Sequence, residues 1–474
     1  MSRESWVGRD ARSIAEAVRS GQVSARTVVE EHLARVDECN VELNALVTVC
    51  AEEARTAADA LDERRLLGET LGPLAGVPFT VKDLIATAGV RTTAGSRTLA
   101  DNVPAVDAPA VAAFKAAGAI LIGKTNTPEF GACGLTRNEL FGTTASPVRP
   151  DGVVRSPGGS SGGESASVAA GMSVLGLGTD FGGSVRWPAH CTGLTSVRPT
   201  LGRVDPEGQY PGVLSDGRVL ANPATMHGTI QTIGPLARNR GDAALALRVL
   251  SMPHLSWSEP DSVDVDDLDI RWATGEGTIP VDEEIRSAVR TVAISLDASE
   301  YDGLALPRAN ALFGALRSVE THADIYSLAA GSAHAFDADI TAMLAAGRDR
   351  SSAEVEALWA DRAVLISEFL GEMGDALILP VASVLAPPLG VESFEVDGRK
   401  LTWMDALASC RAISVLGLPS VVVPVGLSRN GLPIGVQVVA RPFREHVALS
   451  VAARITSKAQ ALVSLPFFGF GCET

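Results

Sequence analysis

A glycine- and serine-rich run is the first segment of the chain that could carry chemistry. It reads Arg155-Ser-Pro-Gly-Gly-Ser160-Ser-Gly-Gly-Glu164, and an alanine- and valine-rich stretch that predicts a helix follows it. Four glycines let the backbone approach a ligand closely, and the loop amides would lie near a helix N-terminus. A flexible linker and a phosphate-binding loop are the alternatives, although a phosphate loop would carry Gly-Lys-Ser/Thr after its spacer. On this loop alone, catalysis by Ser160 and simple linkage both stay open.

A second segment places a serine after two glycines. It reads Gly176-Leu-Gly-Thr-Asp180-Phe-Gly-Gly-Ser184-Val-Arg186, and a strand-like run precedes it. Ser184 therefore suits an exposed nucleophile, beside which consecutive backbone amides could converge on an oxyanion. Each such donor is worth about 3–4 kcal/mol in an acyl-transfer enzyme. These amides belong to Phe181, Gly182, Gly183 and Ser184. A structural turn in which Asp180 and Arg186 merely pair is the alternative.

The base that would activate such a serine is best sought among the lysines. The seven histidines form no recognisable Ser-His-Asp arrangement, and neither an HExxH motif nor a paired Cys/His set occurs. We therefore predict no metal and no cofactor. Lys82 follows the apolar run 77–81. Burial can lower the pKa of a lysine by up to about 3–5 from about 10.4, which makes a buried Lys82 a candidate base.

The composition argues against several classes of partner. The chain has 474 residues, with 40 Lys and Arg against 56 Asp and Glu, so its formal net charge is -16. An acidic surface repels phosphate backbones and anionic lipid, and we expect neither a nucleic-acid nor a membrane partner. We find no signal-peptide core and no apolar run of about 18 residues. The six cysteines are scattered without CxxC pairs, which predicts reduced thiols and a cytoplasmic protein.

The elements that must position these residues alternate between helix and strand. Ser24 is typical of the N-cap of a helix. The acidic stretch 253–270 lacks the glycine and the distal glutamate of a calcium-binding loop, so we expect a solvated connector there. The alternation predicts an α/β sheet built from both ends of the chain. Further helices are predicted at 51–65, at 109–117 and within 282–375, and strands at 77–81, at 119–122 and from Leu377, Ser420 and Ile434.

Taken together and in this order, the motifs resemble the amidase signature family. The resemblance rests on Gly-Val-Pro-x-x-Val-Lys82-Asp83, on the Gly-Gly-Ser160-Ser161-Gly-Gly run, and on Gly-Thr-Asp180-x-Gly-Gly-Ser184-x-Arg186-x-Pro. Ser184 follows Ser160 by 24 residues, which is the separation that this family shows. Further matches lie at Gly123-Lys-Thr-Asn-Thr-Pro-Glu, at Arg198-Pro-Thr and at Gly431-Leu-Pro-Ile-Gly-Val-Gln.

The resemblance implies a fold and a division of the chain. It implies one large α/β domain over residues 1–474, with a mixed, mainly parallel central sheet covered by helices. Within that domain we expect N-terminal helices over 1–70, a signature core over 71–250, a variable helical region over 251–375 and C-terminal core strands and helices over 376–465. It also favours a homodimer.

The resemblance further implies a Ser-cisSer-Lys triad that hydrolyses amides. Ser184 would attack the carbonyl, Ser160 after a cis peptide at Gly159 would relay the proton, and Lys82 would accept it. The substrate would be a linear small-molecule amide, hydrolysed at its carbon–nitrogen bond. Turnover of hydrazides, carbamates or esters is also compatible with the family. Residues with a supporting role would be Asp83, Ser161, Asp180 and Arg186.

The segment expected to line the substrate pocket is mostly small. Gly131, Ala132 and Cys133 belong to it, and Gly159 is a further expected contact. Small side chains leave volume, which favours an aryl or branched acyl group; the alternative is that a neighbouring helix packs on them. A bulky residue at Gly131 should then selectively impair large substrates. Arg155 and Arg441 are single candidates for binding an anionic substrate.

Two other functions stay open. One is the amidase subunit of the glutamine-dependent tRNA amidotransferase, which shares the triad but normally carries glutamine where Trp187 stands. The other is a catalytically inactive binding protein on the same fold, which the presence of all three triad residues disfavours.

Overall fold

A computed structural model describes residues 5–320, 322–328, 336–346 and 351–460. The predicted N-cap at Ser24 is confirmed, because its side chain accepts a hydrogen bond from the Thr27 amide at the start of the second helix. The helices are α1 Ala11–Ser20, α2 Ala25–Leu43, α3 Ala51–Leu66, α4 Pro109–Ala116, α5 Gly162–Ala169, α6 Arg186–Thr192, α7 Met226–Ile230, α8 Arg240–Leu250, α9 Glu283–Ser295, α10 Ala305–Ser318, α11 Ala323–Leu328, α12 Ala338–Ala346, α13 Ser352–Glu372, α14 Trp403–Ala406, α15 Ala408–Leu416 and α16 Glu445–Gln460.

The strands begin and end close to the predicted runs near both termini. The strands are β1 Leu46–Val49, β2 Pro78–Lys82, β3 Ile120–Thr125, β4 Arg137–Asn138, β5 Gly142–Thr143, β6 Leu175–Asp180, β7 Thr195–Arg198, β8 Val213–Ser215, β9 Arg218–Leu220, β10 Thr232–Ala237, β11 Ile270–Trp272, β12 Ser299–Glu300, β13 Ala376–Pro380, β14 Ser393–Val396, β15 Arg399–Thr402, β16 Ser420–Leu427 and β17 Pro433–Ala440.

One eleven-stranded sheet forms the centre of the molecule, in the order β1-β3-β2-β6-β10-β7-β16-β17-β13-β11-β12. The expected single α/β domain with a mixed sheet built from both ends of the chain is confirmed. Parallel pairing joins β3, β2 and β6 on one side and β13, β11 and β12 on the other. The strands between these two groups are antiparallel, partly because β16 and β17 form a hairpin. At the edge of the sheet, β1 pairs with β3 in antiparallel orientation. Of the ten pairs of neighbouring strands in this sheet, six are therefore antiparallel and four are parallel.

The parallel group β3-β2-β6 positions the chemistry. In parallel strands the carboxyl ends meet at one edge of the sheet. Lys82 ends β2, Thr125 ends β3 and Asp180 ends β6, so these three residues share that edge. Every residue of the three strands is buried. Helices α5 and α6 pack over the same region and are themselves almost wholly buried.

The remaining structural expectations can be compared with the described residues. The stretch 253–270 contains short 3-10 turns and no long helix or strand, as a connector would. Cys39, Cys50, Cys133, Cys191 and Cys410 are buried and form no disulfide among the described residues, and Cys472 lies outside those residues. No helix in the described ranges is both long and apolar enough to cross a bilayer.

Candidate active site

Lys82 and Ser160 are in direct contact. The Lys82 Nζ donates a hydrogen bond to Ser160 Oγ at 2.7 Å and a second one to Thr179 Oγ1 at 2.9 Å. The peptide bond between Gly159 and Ser160 is cis, as the resemblance implied. Lys82 is fully buried and Ser160 is 2% exposed. The two side chains therefore meet in a site from which bulk water is excluded.

The surroundings of Lys82 favour its neutral amine. Burial lowers the pKa of Lys82 well below its usual value, and the charges of Asp180 and Glu164 oppose this only in part. Burial also raises the pKa of Glu164 to about 8, so this carboxyl is largely protonated at neutral pH. Glu164 accepts hydrogen bonds from Thr80 Oγ1 at 2.7 Å and Thr125 Oγ1 at 2.8 Å. A protonated Glu164 adds no negative charge beside Lys82, so Asp180 is the carboxylate that opposes the effect of burial, and burial prevails.

Ser184 stands at the opening of this site. Its backbone carbonyl accepts a hydrogen bond from the Ser161 amide at 3.2 Å, which brings the two serine loops together. Ser161 in turn donates from its Oγ to the Thr179 carbonyl at 3.3 Å. Ser184 is only half-buried and lines a cavity, whereas Ser160 is buried beside Lys82 and does not line that cavity. The loops therefore present one serine to a ligand and keep the other beside the amine.

Asp180 shapes the loop that carries Ser184. Its carboxylate accepts hydrogen bonds from the amides of Gly183 at 2.9 Å and Val185 at 3.2 Å. The Arg186 guanidinium donates to it at 3.0 and 2.9 Å, and Arg198 lies 3.3 Å away. Burial alone would raise the pKa of Asp180, but these two guanidinium groups hold it well below its usual range. Asp180 and Arg186 therefore hold the backbone of the loop that carries Ser184.

One of the four expected oxyanion donors is already occupied. Because the Gly183 amide donates to Asp180, it is not free for a substrate oxygen, and it contributes to the loop's shape instead. Gly183 also has a φ of +124°, and a Cβ there would lie 2.8 Å from Cys410 Cβ. The amides of Gly182 and Ser184 donate to no other residue within the described ranges. Phe181, Gly182 and Ser184 therefore remain as candidate donors.

Asp83 contacts Thr93 and Lys124 and neither of the two serines. Its carboxylate accepts hydrogen bonds from the Thr93 amide at 2.9 Å and from Thr93 Oγ1 at 2.5 Å, and Lys124 Nζ lies 3.7 Å from it. Lys124 is fully buried and also donates to Ile85 O at 2.5 Å. Asp83 therefore fixes the chain that follows Lys82, which agrees with a supporting role.

The cavity beside Ser184 is narrow. Gly131, Ala132 and Cys133 line it as expected, together with large side chains that include Phe181, Phe313 and Trp403. Its free volume is ≈ 40 Å³, room for only a few water molecules at ~10–15 Å³ each. The large rings occupy the space that the small residues leave. A substrate larger than a few atoms must therefore displace some of these side chains.

Two expected pocket residues are small for packing reasons. Gly159 is buried and absent from the cavity lining, and a Cβ there would lie 2.8 Å from the Gly134 carbonyl carbon. Gly131 has a φ of +68°, and a Cβ there would lie 2.7 Å from Leu84 Cδ1 and 3.1 Å from Ser160 Oγ. Close neighbours outside the helices thus leave no room for a Cβ at either glycine, and a larger residue at Gly131 would disturb Ser160 as well as the pocket.

We expect Gly131→Ala to reduce turnover of small and large amides alike. The added methyl presses on Ser160 Oγ, and a left-handed backbone strains any residue with a Cβ. A parallel measurement of kcat for an acetyl anilide and a benzoyl anilide checks this, with Gly152→Ala as control because that glycine shares a positive φ of +75° but has open space around it. Impairment confined to the larger substrate would contradict it.

Trp187 and His190 are structural. Trp187 is 2% exposed and donates from its indole nitrogen to the Gly134 carbonyl at 3.1 Å, so it braces the segment that lines the cavity. His190 stacks on Trp187 with ring centroids 5.6 Å apart, and its Nδ1 accepts the Gly435 amide at 3.1 Å. Burial lowers the pKa of His190 to about 4. Neither residue lines the cavity.

One cluster of described residues has the composition of a metal site. His227, Glu320 and His322 are buried, and one potential ligand atom from each lies within 4.8 Å of the others. Burial and, to a lesser extent, the positive charge of Arg317 together lower the pKa of His322 to about 3. A metal cation would meet the same repulsion from that guanidinium. We therefore assign no metal to this cluster.

Sequence reasoning missed Thr179 and Glu164. Thr179 precedes Asp180 in the second motif, and the alternation along β6 was the signal that could have pointed it toward Lys82. Glu164 directly follows the two glycines of the first loop, in a first helical turn where acidic residues are common at the surface. Its burial depends on two threonines from neighbouring strands, which only the fold brings together.

Comparison with known proteins identifies the family of this chain. The Amidase family model matches residues 27–449. Indoleacetamide hydrolase of Bradyrhizobium diazoefficiens is 33% identical over 94% of this chain and 86% of that protein. The glutamyl-tRNA(Gln) amidotransferase subunit of Synechococcus sp. (strain CC9605) is 32% identical over 95% of this chain and 96% of that protein. A solved structure from work on a vestigial protein complex and the origins of an s-triazine catabolic enzyme has a TM-score of 0.84 and 31% identity, and covers 95% of this chain and 98% of that one. The chain therefore belongs to the amidase family, the amidase signature hydrolases.

Proposed function

We propose that this protein hydrolyses the carbon–nitrogen bond of a linear small-molecule amide through an acyl-enzyme on Ser184. The observation that carries the proposal is the buried 2.7 Å contact between Lys82 Nζ and Ser160 Oγ, next to Gly131, which lines the same cavity as Ser184. A buried lysine with a lowered pKa can accept a proton at neutral pH. A serine between that amine and the cavity can pass the proton on.

The first half of the reaction forms the acyl-enzyme. Ser184 Oγ attacks the amide carbonyl carbon while its proton moves to Ser160 Oγ, and the Ser160 proton moves to the lone pair of Lys82 Nζ. The amides of Phe181, Gly182 and Ser184 stabilise the negative oxygen. Collapse of the intermediate breaks the carbon–nitrogen bond, and the same relay returns the proton from Lys82 to the leaving nitrogen.

The second half releases the acid. Water attacks the acyl carbon, gives its proton to the relay, and displaces Ser184 Oγ, which recovers a proton from Lys82 through Ser160. Thr179 holds the amine throughout, because its Oγ1 accepts a hydrogen bond from Nζ in either protonation state. The cycle consumes one water and uses no cofactor.

A panel of chromogenic anilides, hydrazides, carbamates and esters, offered to the purified chain alone, tests the proposal. We expect release of product from at least one aryl or branched acyl amide, unaffected by metal chelators. The matched control is Ser184→Ala at the same concentration, which should release none. Failure of every carbon–nitrogen substrate with a folded protein would contradict the proposal.

A second candidate function is supported by the relatives. The glutamyl-tRNA(Gln) amidotransferase subunit of Synechococcus is among the proteins that this chain resembles over nearly its whole length. Under that alternative the isolated chain would be inactive on simple amides, and partner proteins would be required. Turnover by the isolated chain therefore separates the two functions. The proposed homodimer is a separate matter, which light scattering of the purified chain would measure.

A further inference from the structure

Two arginines line the same cavity as Ser184 without a carboxylate partner. They are Arg317, at the end of α10, and Arg411, on α15. Neither forms an ion pair with any residue in the described ranges. The chain as a whole carries a net charge of -16, so acidic partners are plentiful elsewhere. Both guanidinium groups therefore line the cavity beside Ser184 without an ion-pair partner among the described residues.

Arg411 is held beside the nucleophile loop. It is 8% exposed, and its Nε is buried without a hydrogen-bond partner. Its Cγ would lie 3.4 Å from a Cβ at Gly182, so its stem packs against the loop that supplies the oxyanion donors. Its guanidinium carbon lies 5.6 Å from the Phe313 ring centroid. The carboxylates of Asp405 and Glu276 act on Arg411 electrostatically but form no ion pair with it.

Arg317 has a similar setting on the neighbouring helix. Its Nη1 is buried without a hydrogen-bond partner, and its Nη2 contacts Met343 Sδ. The guanidinium carbon lies 5.3 Å from the Phe181 ring centroid, and His227 stacks on the same ring at 4.2 Å. Glu320 is a nearby carboxyl, and burial raises its own pKa to about 7, so it compensates the guanidinium incompletely.

A buried cation without a partner is unfavourable, and an anion that enters the cavity removes that penalty. The planar guanidinium donors match a carboxylate in particular, because both of its oxygens can accept at once. We propose that the substrate of this amidase carries a carboxylate, and that Arg317 and Arg411 bind it while the amide carbon lies at Ser184. This inference rests on the proposed function, since it names the substrate class of that site.

The arginines first expected to bind an anion are engaged elsewhere. Arg155 forms an ion pair with Asp151. Arg441 donates to the carbonyls of Gly374 at 3.0 Å and Leu370 at 2.9 Å. Neither lines the cavity beside Ser184. Arg441 is therefore a suitable control, as a partly buried arginine with satisfied donors.

The test compares amides that differ only in charge. Succinyl p-nitroanilide carries a carboxylate on the acyl side and its succinamoyl analogue carries a neutral amide; N-acetyl-4-aminobenzoate and N-acetyl-4-aminobenzamide form the corresponding pair on the amine side. We expect kcat/KM to favour the carboxylate member of at least one pair by about 10- to 100-fold, or about 1.4–2.8 kcal/mol. Arg411→Gln and Arg317→Gln should each reduce that ratio toward one, whereas Arg441→Gln should leave it unchanged.

A binding measurement separates this inference from the proposed function. Ser184→Ala retains both arginines, and benzoate should raise its thermal midpoint more than benzamide does. Arg411→Lys in the same background keeps the charge but not the planar donors, and should weaken the benzoate effect even if Arg411→Gln does not fold. Equal kcat/KM for both members of each pair, with neutral amides hydrolysed, would overturn the carboxylate inference alone. Selective benzoate binding with no amide hydrolysed would instead support the anion site and contradict the proposed function.

Discussion

Replacing Ser184 with alanine is expected to abolish the acyl-enzyme and to lower kcat for amide hydrolysis by about 10⁴–10⁶-fold. The loss is large because the remaining relay has no hydroxyl to activate, so only binding and the oxyanion donors continue to act. The Ser184 side chain faces the cavity and braces nothing in the described structure, and we expect the fold to be retained. Stopped-flow measurement of the first turnover on an activated anilide, together with the thermal midpoint, checks both statements.

A neighbouring serine supplies the control for this experiment. Ser165 is buried on α5 and donates to the carbonyls of Pro157 and Gly162, both at 3.1 Å, without contacting Lys82 or the cavity. Ser165→Ala should therefore keep the first turnover and change stability only. If Ser184→Ala still showed a burst of product, another residue would have to be the nucleophile.

The second large effect concerns Lys82. Replacement with methionine keeps an unbranched side chain of similar length but removes the base, and we expect kcat/KM to fall by about 10²–10⁴-fold. The wild-type kcat/KM should also decline as the pH falls through the lowered pKa of Lys82, because a protonated amine cannot accept the Ser160 proton. Lys82→Met should lack this acidic limb.

Lys124 offers the matched control, since it is an equally buried lysine on the adjacent strand. Burial lowers its pKa to about 8, but its Nζ contacts Asp83, Thr92 and Ile85 instead of a serine. Lys124→Met should retain the acidic limb even where stability is lost. High activity of Lys82→Met at neutral pH would remove lysine from the role of base.

The three residues of the proposed triad could be assigned from the sequence because they lie in long motifs that resemble those of the amidase signature family. Each motif places its residue at a strand end or in a glycine-rich turn, and the sequence shows such positions directly. Thr179 and Glu164 could not be assigned in the same way. Their importance comes from contacts with Lys82, Thr80 and Thr125 that depend on the pairing of β2, β3 and β6.

The substrate cavity was much less predictable. Small residues at 131–134 suggested spare volume, but Phe313 and Trp403 come from distant helices and fill it. The same part of the fold supplies Arg317 and Arg411, which no local pattern distinguishes from surface arginines. The ends of the strands could be predicted because hydrophobic runs end there. The residues of the cavity wall could not, because they depend on how α10 and α15 pack together.

The most direct test of the account is the identity of the acylated residue. A slowly hydrolysed carbamate or activated ester would be mixed with the protein, and the adduct located by peptide mass spectrometry in the wild type and in Lys82→Met. We predict one acyl group, on Ser184, that forms rapidly in the wild type and at least about a hundredfold more slowly in the variant. An adduct on Ser160, on Cys133 or on Lys82 itself, or an adduct that forms equally fast without Lys82, would contradict it.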